Sequence, residues 1–455
     1  MYSDKINDTF AFTHNSFFIM FFDNLPAGID THTVLSGKGA LSGIGEMLEN
    51  MFPERSAVII ADKTTWEIAG KSVWEHIEAS SAKQQAPYVI TDSGLSADWK
   101  YEQKLEKFLG TTDAVPIAVG SGVINDLTKL ASYRMGRPYI CVGTVASSDG
   151  YAAFGASIIS DGAKRTFECS APRGILMDTD IIFRAPRHLT AAGYADLMAK
   201  ITAGADWILA DAAGAEPIDK AAFNLSQSGL KEIVSHFDIN SERSIEELVH
   251  GLLQSGFAMQ LHKSSRPASG TEHLFCHLWD VQNRKSDCGN VSHGFQVGIG
   301  ILVSTLLYEE LLSADIGNMD MEACAEAWPS WERTAEHIKE LFARDPQMID
   351  ACTRQTRIKY PDRKELYRQL SAFQSAWNTT RKRIEAQILP YVQAKRLLEK
   401  AGAPTAPEQI GISSQRLAES CRMLPYMRDR YTIVDLAVRL GVYDTWLEKI
   451  NARLS

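Results

Sequence analysis

Four short apolar runs in the first third of the chain constrain its fold more than any other feature. They read AVIIAD (57–62), PYVITD (87–92), AVPIAVG (114–120) and PYICVGT (138–144), and glycine, proline or aspartate bounds each run. Each is rich in β-forming residues and long enough for one buried strand. Amphipathic stretches with helical spacing separate them, such as residues 95–109. This alternation predicts a parallel sheet covered by helices on both faces.

The rest of the chain has the spacing of helices. From Leu189 onward apolar residues recur every three to four positions, and prolines at 361, 390 and 404 divide the last part into separate helices. We therefore predict an α/β then all-α architecture. A leader covers residues 1–30, a sheet domain 31–185 and a helical domain 186–455.

The charge balance and the cysteines restrict the class of protein. The 455 residues include 56 acidic and 47 basic side chains, a net charge of −9, without a long basic block, so we expect no nucleic-acid partner. Seven scattered cysteines without a Cys-x-x-Cys pair are typical of a reducing compartment. The apolar run at 17–22 is too short to span a bilayer, so we expect a cytoplasmic protein without membrane insertion.

Three of the eleven histidines lie within one stretch of the helical half. Ser269 and Glu272 have the spacing of a capping box, which predicts a helix that begins at Gly270 and carries His273 and His277 on one face. His293 begins a second, apolar helix. Imidazole is a common ligand of zinc-like ions, and a catalytic site needs three protein ligands. Two histidines four apart are more often surface or core-edge residues than metal ligands. The two helices can supply histidines, but a third ligand must come from elsewhere. Cys276 and Cys288 are second choices.

An aspartate on the first long helix of this half is the candidate third ligand. Asp196 and Lys200 are four apart, a spacing that usually makes an exposed ion pair. Their neighbours are alanine, glycine and leucine, which indicates a packed helix. A buried carboxylate needs a partner, and a metal ion would satisfy it.

Two strand ends carry residues suited to a phosphate or a ribose. AVPIAVG runs into Gly120-Ser121-Gly122 and then a helix, where backbone N–H groups can approach a phosphate, although a tight turn without a ligand explains the pattern equally well. Asp62 ends AVIIAD, where a carboxylate often binds a ribose hydroxyl, although a solvated aspartate is the commoner case. The loop at 143–151 follows the predicted strand PYICVGT and carries hydroxyl groups and Asp149. The end of a parallel strand is where α/β proteins place ligands.

Five motifs in this order resemble one family. They are GSGVINDLTK, GTVASSDGYAA, AAGYADLMAK, SSRPASGTEH and SHGFQVGIG. Together they are similar to the glycerol-1-phosphate dehydrogenases, within the iron-type alcohol dehydrogenase and dehydroquinate synthase superfamily. The resemblance covers the chain from about residue 35 and implies a Rossmann-like domain followed by a helical metal-binding domain, with the active site in the cleft between them.

The resemblance also implies roles for individual residues. It implies a metal site of Asp196, His273 and His293, and catalytic or substrate contacts at Asp149, Asp196 and His277. It implies nicotinamide-dinucleotide contacts at Asp62, Gly122, Val123, Ile124, Asn125, Asp126, Thr144, Val145, Ala146 and Ser147.

The implied reaction is the reversible reduction of dihydroxyacetone phosphate to sn-glycerol 1-phosphate. The implied cofactors are NAD(P)(H) and one divalent ion, which is zinc, nickel or iron because two histidines and an aspartate suit all three. We expect a small phosphorylated triose or glycerol substrate and a homo-oligomer, with a homodimer favoured. Arg266, Lys164 and Arg165 are the candidate cations for the phosphate. A glycerol dehydrogenase, a dehydroquinate-synthase-like enzyme and a catalytically dead cofactor-binding protein remain alternatives.

Overall fold

The first half of the chain forms a mainly parallel sheet. The structure is a computed structural model that describes residues 20–21, 25–160, 163–282 and 291–454. Most of the predicted leader and Cys288 therefore lie outside the described residues. The strands are β1 Met20–Phe21, β2 Thr33–Gly37, β3 Ala57–Asp62, β4 Gln84–Ile90, β5 Val115–Gly120, β6 Ile140–Gly143, β7 Ala156–Ser160, β8 Ala163–Phe167 and β9 Gly174–Asp178.

The predicted parallel sheet is confirmed. Its order is β1-β2-β9-β6-β5-β3-β4, and all neighbours are parallel except the short edge strand β1. β4 begins earlier than its apolar run suggested and includes Pro87. It can do so because it is an edge strand, where a proline without an N–H is tolerated. β7 and β8 form a separate antiparallel hairpin.

Helices cover both faces of this sheet. The helices are α1 Ile44–Met51, α2 Lys63–Thr65, α3 Lys71–Glu78, α4 Trp99–Leu109, α5 Gly122–Arg134 and α6 Thr179–Phe183. α1 and α3 pack on one face, through residues such as Met47 and Val73. α4 and α5 pack on the other face, through Leu105 and Leu127, and this core continues into the helical half.

The connections reverse direction between β3 and β5. The chain leaves β3 toward the outer strand β4, returns to β5 on the other side of β3, and then continues to β6. Open α/β sheets bind ligands at the carboxyl ends of the strands where this reversal occurs. Asp62 and Gly120 end these two strands, so both lie at that crevice.

All described elements after residue 186 are helical. The helices are α7 Arg187–Ala212, α8 Lys220–Gln227, α9 Leu230–His236, α10 Glu242–His262, α11 Thr271–Gln282, α12 His293–Ser313, α13 Met321–Glu326, α14 Trp331–Leu341, α15 Pro346–Lys359, α16 Arg363–Gln387, α17 Tyr391–Lys400, α18 Ser414–Met423, α19 Ile433–Arg439 and α20 Tyr443–Leu454. α7 packs against α12 and α16, and α11 packs against α12.

α12 is the most apolar of the long helices. By length and composition alone it could cross a membrane, but 83% of its most apolar window is buried inside the protein. Residues such as Val303 and Leu307 pack in the core of the helical half. The burial is that of a core helix.

Candidate active site

Glycines let three helices and one loop approach closely enough to form a site. A Cβ on Gly294 of α12 would lie 1.9 Å from the carbonyl oxygen of Ala192 on α7, and a Cβ on Gly300 would lie 2.4 Å from the carbonyl oxygen of Glu272 on α11. A Cβ on Gly193 would lie 1.9 Å from the carbonyl oxygen of Ala146, in the loop after β6. No larger residue fits at these contacts, so α7 lies directly against α12 and the loop.

The three predicted metal ligands come together. Asp196 of α7, His273 of α11 and His293 of α12 each offer an atom, and these atoms lie within 4.8 Å of one another. Nε2 of His273 is 3.6 Å from Oδ1 of Asp196, and the two imidazole centroids are 5.2 Å apart. In the part of the chain that the structure describes, no other trio of His, Cys, Asp or Glu converges in this way.

The donor set fits a zinc-like divalent ion. One carboxylate oxygen and two imidazole nitrogens leave a position open, as in catalytic zinc sites. In a tetrahedral zinc site with ligands at about 2.0–2.1 Å, the ligand atoms are about 3.3–3.4 Å apart. Binding therefore requires only a small inward movement of the three side chains.

A buried glutamate orients His273. Nδ1 of His273 lies 2.8 Å from Oε1 of Glu272, whose other oxygen accepts a hydrogen bond of 2.7 Å from the Thr202 hydroxyl. Nε2 of His273 therefore faces Asp196. Burial opposes protonation of His273, but its hydrogen bonds to Asp196 and Glu272 raise its pKa.

The predicted capping box is wrong in its hydrogen bonds. The Glu272 carboxylate accepts a hydrogen bond from the backbone N–H of Gly270, not from that of Ser269. α11 begins at Thr271, whose N–H donates to Oδ2 of Asp206 on α7 at 2.7 Å. A residue from another helix therefore caps α11.

Cys276 lies behind one ligand. Its sulfur is 3.0 Å from Nδ1 of His293 and 3.9 Å from Oδ2 of Asp280. His293 would therefore offer Nε2 to an ion. Cys276 supports this ligand and is not a member of the converging trio.

A buried lysine joins Asp196 to Asp149. Nζ of Lys200 lies 2.7 Å from Oδ1 of Asp196 and 2.8 Å from Oδ2 of Asp149. The N–H of Asp149 donates to Oδ2 of Asp196 at 2.9 Å, and the Ser255 hydroxyl donates to Oδ2 of Asp149 at 2.7 Å. The structure therefore places the predicted substrate residue Asp149 beside the predicted metal ligand Asp196.

The charges in this network stabilise one another. Burial alone would raise the pKa of Asp196, but Lys200 and the hydrogen bond from His273 hold it well below its usual range. Burial would likewise lower the pKa of Lys200, but Asp149 and Asp196 raise it above its ordinary value. The site therefore holds two carboxylates and one ammonium before any ion binds.

His277 lies one helical turn beyond His273 and is only partly buried. Its Nε2 is 3.0 Å from Nη1 of Arg428, so the imidazole accepts this hydrogen bond. His277 is not one of the three converging ligand residues. Its predicted substrate contact stays a prediction.

The predicted dinucleotide segments lie at neighbouring strand ends. Asp62 caps α2 through the N–H of Thr65 at 2.9 Å, beside the end of β5. α5 begins at Gly122, and no side chain of the described residues caps it. Thr144 follows β6, and its N–H donates to the Gly120 carbonyl at 3.1 Å. These three segments line the carboxyl edge of β3, β5 and β6.

Several side chains in these segments face inward. Ile124, Val145 and Ala146 are buried in the core, so any contact with a cofactor must come from their backbone. Asn125 donates to the Gly150 carbonyl and accepts from the Tyr139 hydroxyl, both at 3.1 Å. Asp126 accepts from the N–H of Ser157. These two polar side chains hold the following loop and hairpin in place. The cofactor contacts of Gly122, Val123 and Ser147 stay predictions.

The structure separates the three candidate phosphate cations. Arg266 is fully buried and donates to the carbonyl oxygens of Asp206 and Tyr431, and its contact with a phosphate stays a prediction. Arg165 is exposed on β8, which lies beside α11, and stays a candidate. The side chain of Lys164 lies outside the described residues.

Sequence reasoning missed the residues that support the ligands. The sequence pattern predicts a capping role for Glu272. Its position directly before the candidate ligand His273 is the signal that indicates a supporting role instead. Ser255 and Arg428 carried no local signal, because each is more than one hundred residues away in sequence from its partner.

Comparisons with known proteins identify the family of this chain. Residues 35–186 match the family described as iron-containing alcohol dehydrogenase. A glycerol-1-phosphate dehydrogenase [NAD(P)+] of Geobacillus stearothermophilus is 30% identical over 413 residues, which cover 89% of this chain and 92% of that protein. A glycerol-1-phosphate dehydrogenase [NAD(P)+] of Methanosarcina barkeri is 36% identical over 278 residues, which cover 60% of this chain and 76% of that protein.

A solved structure shows the same fold at lower identity. The crystal structure of glycerol dehydrogenase from Schizosaccharomyces pombe aligns with a TM-score of 0.58 and 16% identity, over 92% of this chain and 90% of that one. The match over nearly the full length of the Geobacillus relative, together with the ordered motifs, shows the family. The chain belongs to the glycerol-1-phosphate dehydrogenase family of NAD(P)-dependent, iron-type alcohol dehydrogenases.

Proposed function

We propose that this protein reversibly reduces dihydroxyacetone phosphate to sn-glycerol 1-phosphate, with NADH or NADPH as the hydride donor. The convergence of Asp196, His273 and His293 near the carboxyl edge of the sheet is the observation that carries this proposal. The names of the curated relatives support the substrate and the cofactor.

Asp196, His273 and His293 would hold one divalent ion. Bound there, it supplies Lewis acidity toward a ketone or alcohol oxygen, which favours hydride transfer at the adjacent carbon. Glu272 and Cys276 fix the orientation of the two imidazoles, so both present Nε2 toward the same point. Zinc, nickel and iron each suit this donor set.

Asp149 and His277 are the groups proposed to handle the substrate. Lys200 and Ser255 both contact Oδ2 of Asp149, which leaves Oδ1 to accept a hydrogen bond from a substrate hydroxyl. His277 is partly buried one turn beyond His273 on α11, and it is the second residue proposed to contact the substrate. The dinucleotide would lie across the ends of β3 and β5, with its pyrophosphate at the N-terminus of α5.

The decisive experiment is a reductase assay of the purified protein after chelation and after refilling with zinc, nickel or iron. We expect NAD(P)H oxidation with dihydroxyacetone phosphate, loss of activity on chelation, and recovery on refilling. The product should be oxidised by an enzyme specific for sn-glycerol 1-phosphate and not by one specific for the 3-phosphate. Faster turnover of glycerol than of glycerol phosphate would favour a glycerol dehydrogenase instead.

Assembly and location form part of the same proposal. We propose a cytoplasmic location, because the described cysteines are free thiols and most belong to the buried core. We separately propose a homodimer. Analytical ultracentrifugation of the metal-loaded protein tests the subunit number. A monomer across the micromolar range would contradict this assembly.

A further inference from the structure

A pair of arginines from the C-terminal part of the chain lies beside the candidate active site. Arg428 and Arg430 lie between α18 and α19, far in sequence from α11. Nη1 of Arg428 donates to Nε2 of His277 at 3.0 Å. The C-terminal helices therefore bring a cation to a residue that the proposed reaction uses.

The positive charge at this place exceeds what the protein neutralises. Within the described residues no carboxylate forms an ion pair with Arg428, whose one polar side-chain contact is a neutral imidazole. Arg430 also bonds to neutral groups, the carbonyl oxygen of Ser269 and, at 3.1 Å, the hydroxyl of Ser265. Asp429 stabilises both charges and Glu216 stabilises that of Arg430, but neither forms an ion pair with these arginines within the described residues. A partly buried cation without an ion pair is costly, and an anionic ligand would reduce that cost.

Neighbouring arginines repel one another here. Burial lowers the pKa of Arg430 to about 9, and the charges of Arg428 and Arg266 contribute. Burial also lowers the pKa of Arg428 below its ordinary range. Glu216 lies 3.2 Å from Nε of Arg266, so the nearest ion pair belongs to the deeper arginine and not to these two.

The position of Arg428 matches the shape of the substrate. His273 and His277 are one turn apart on α11, which is about 5–6 Å along the helix axis. In a triose phosphate the phosphate follows the carbonyl carbon after one methylene and one ester oxygen. A carbonyl placed at the converging ligands therefore brings its phosphate to the level of His277 and Arg428.

We infer that Arg428, with Arg430 behind it, binds the phosphate of the substrate and so determines specificity for a phosphate monoester. This inference rests on the proposed function, because it assumes that the carbonyl group of the same substrate lies at the metal site. One guanidinium N–H donates to His277, and the remaining N–H groups present the planar fork that matches phosphate oxygens.

The first test compares a phosphorylated with an unphosphorylated ketone. In the metal-loaded enzyme, Arg428→Gln should lower kcat/KM for dihydroxyacetone phosphate about a hundredfold. It should change kcat/KM for dihydroxyacetone less than about threefold. Arg422→Gln, at an exposed arginine of the same C-terminal region, is the matched control and should change neither. Equal losses on both ketones would show a purely structural role and overturn the inference.

The second test does not depend on turnover. Calorimetric titration of the metal-loaded protein with inorganic phosphate should show binding in the wild type and in Arg422→Gln, and at least tenfold weaker binding in Arg428→Gln. Arg165→Gln tests the rival cation on β8. If that variant loses phosphate binding while Arg428→Gln retains it, the inference is wrong.

The two proposals can fail separately. If phosphate binding depends on Arg428 but dihydroxyacetone phosphate is not reduced, the phosphate site stands and the proposed function fails. If Arg428→Gln does not fold, Arg428→Lys keeps a cation but loses the planar fork, and it should bind phosphate more weakly than the wild type does. Arg430→Gln should also weaken phosphate binding. Wild-type affinity in Arg428→Lys together with wild-type affinity in Arg430→Gln would contradict the inference.

Discussion

The Glu272 carboxylate lies 2.8 Å from Nδ1 of His273, on the opposite side of the imidazole from Asp196. Carboxylates in this position fix the tautomer of a metal-binding histidine and raise its basicity. Glu272 is fully buried and also accepts hydrogen bonds from Thr202 and Gly270. Its position is therefore fixed independently of any ion.

Replacing this carboxylate should weaken metal binding. Glu272→Gln keeps the size of the side chain but removes its charge, and we expect an affinity for zinc about 10–100-fold lower. Competition with a chromogenic chelator measures this directly. Glu322→Gln, at an exposed glutamate of α13, is the control and should bind zinc like the wild type. Unchanged affinity in Glu272→Gln would mean that the carboxylate only holds the start of α11.

Lys200 should matter most when no metal is bound. Without its ammonium, Asp149 and Asp196 would be buried near each other without a cation. Removal of one partner from a buried ion pair commonly costs about 3–5 kcal/mol. A divalent ion would replace part of the lost charge.

We therefore expect Lys200→Met to lower the melting temperature of the metal-free protein and to increase the stabilisation on adding zinc. Differential scanning calorimetry of both forms measures the two effects. Lys220→Met, at an exposed lysine that begins α8, is the control. A zinc-induced shift equal to that of the wild type would show that Lys200 does not compensate the ligand charge.

The strands β3, β4, β5 and β6 could be predicted because each contains a short apolar run. AVIIAD coincides with β3, residue for residue. β2 and β9 were not predicted, because TVLSG and GILMD have no helix-length spacer on both sides. Their burial comes from neighbouring strands, which a local pattern does not contain.

The ligands could be predicted from motifs, but their support could not. Asp206 shows the reason, because it accepts hydrogen bonds from the N–H groups of Thr271 and Ile433 and from the Tyr308 hydroxyl. These partners are 65 to 227 residues away in sequence. A single carboxylate thus caps two helices, an arrangement that only the tertiary fold creates.

Asp62 should set the preference between the two nicotinamide cofactors. Its carboxylate lies at the end of β3 in the crevice, where it would repel the 2′-phosphate of NADP. Asp62→Asn keeps an oxygen to cap α2 and removes the charge. We expect kcat/KM with NADPH relative to NADH to rise about tenfold, or about 1.4 kcal/mol. Asp92→Asn, at the exposed residue just after β4, should leave the ratio unchanged. An unchanged ratio in Asp62→Asn would mean that the ribose lies elsewhere.

The contact between α12 and α7 should control the position of His293. A Cβ on Gly294 would lie 1.9 Å from the Ala192 carbonyl oxygen, so an alanine there must push α12 away from α7. Overpacking of this kind costs about 1–3 kcal/mol. It would also move His293 away from Asp196, because His293 is the adjacent residue. Gly294→Ala should therefore lower both the free energy of unfolding and the zinc affinity.

Gly298→Ala on the same helix is the matched control, since its Cβ would meet no atom closer than 3.5 Å. Chemical denaturation and chelator competition on both variants measure the two effects. Lower stability with unchanged zinc affinity in Gly294→Ala would show that His293 reaches the ion without this close helix contact.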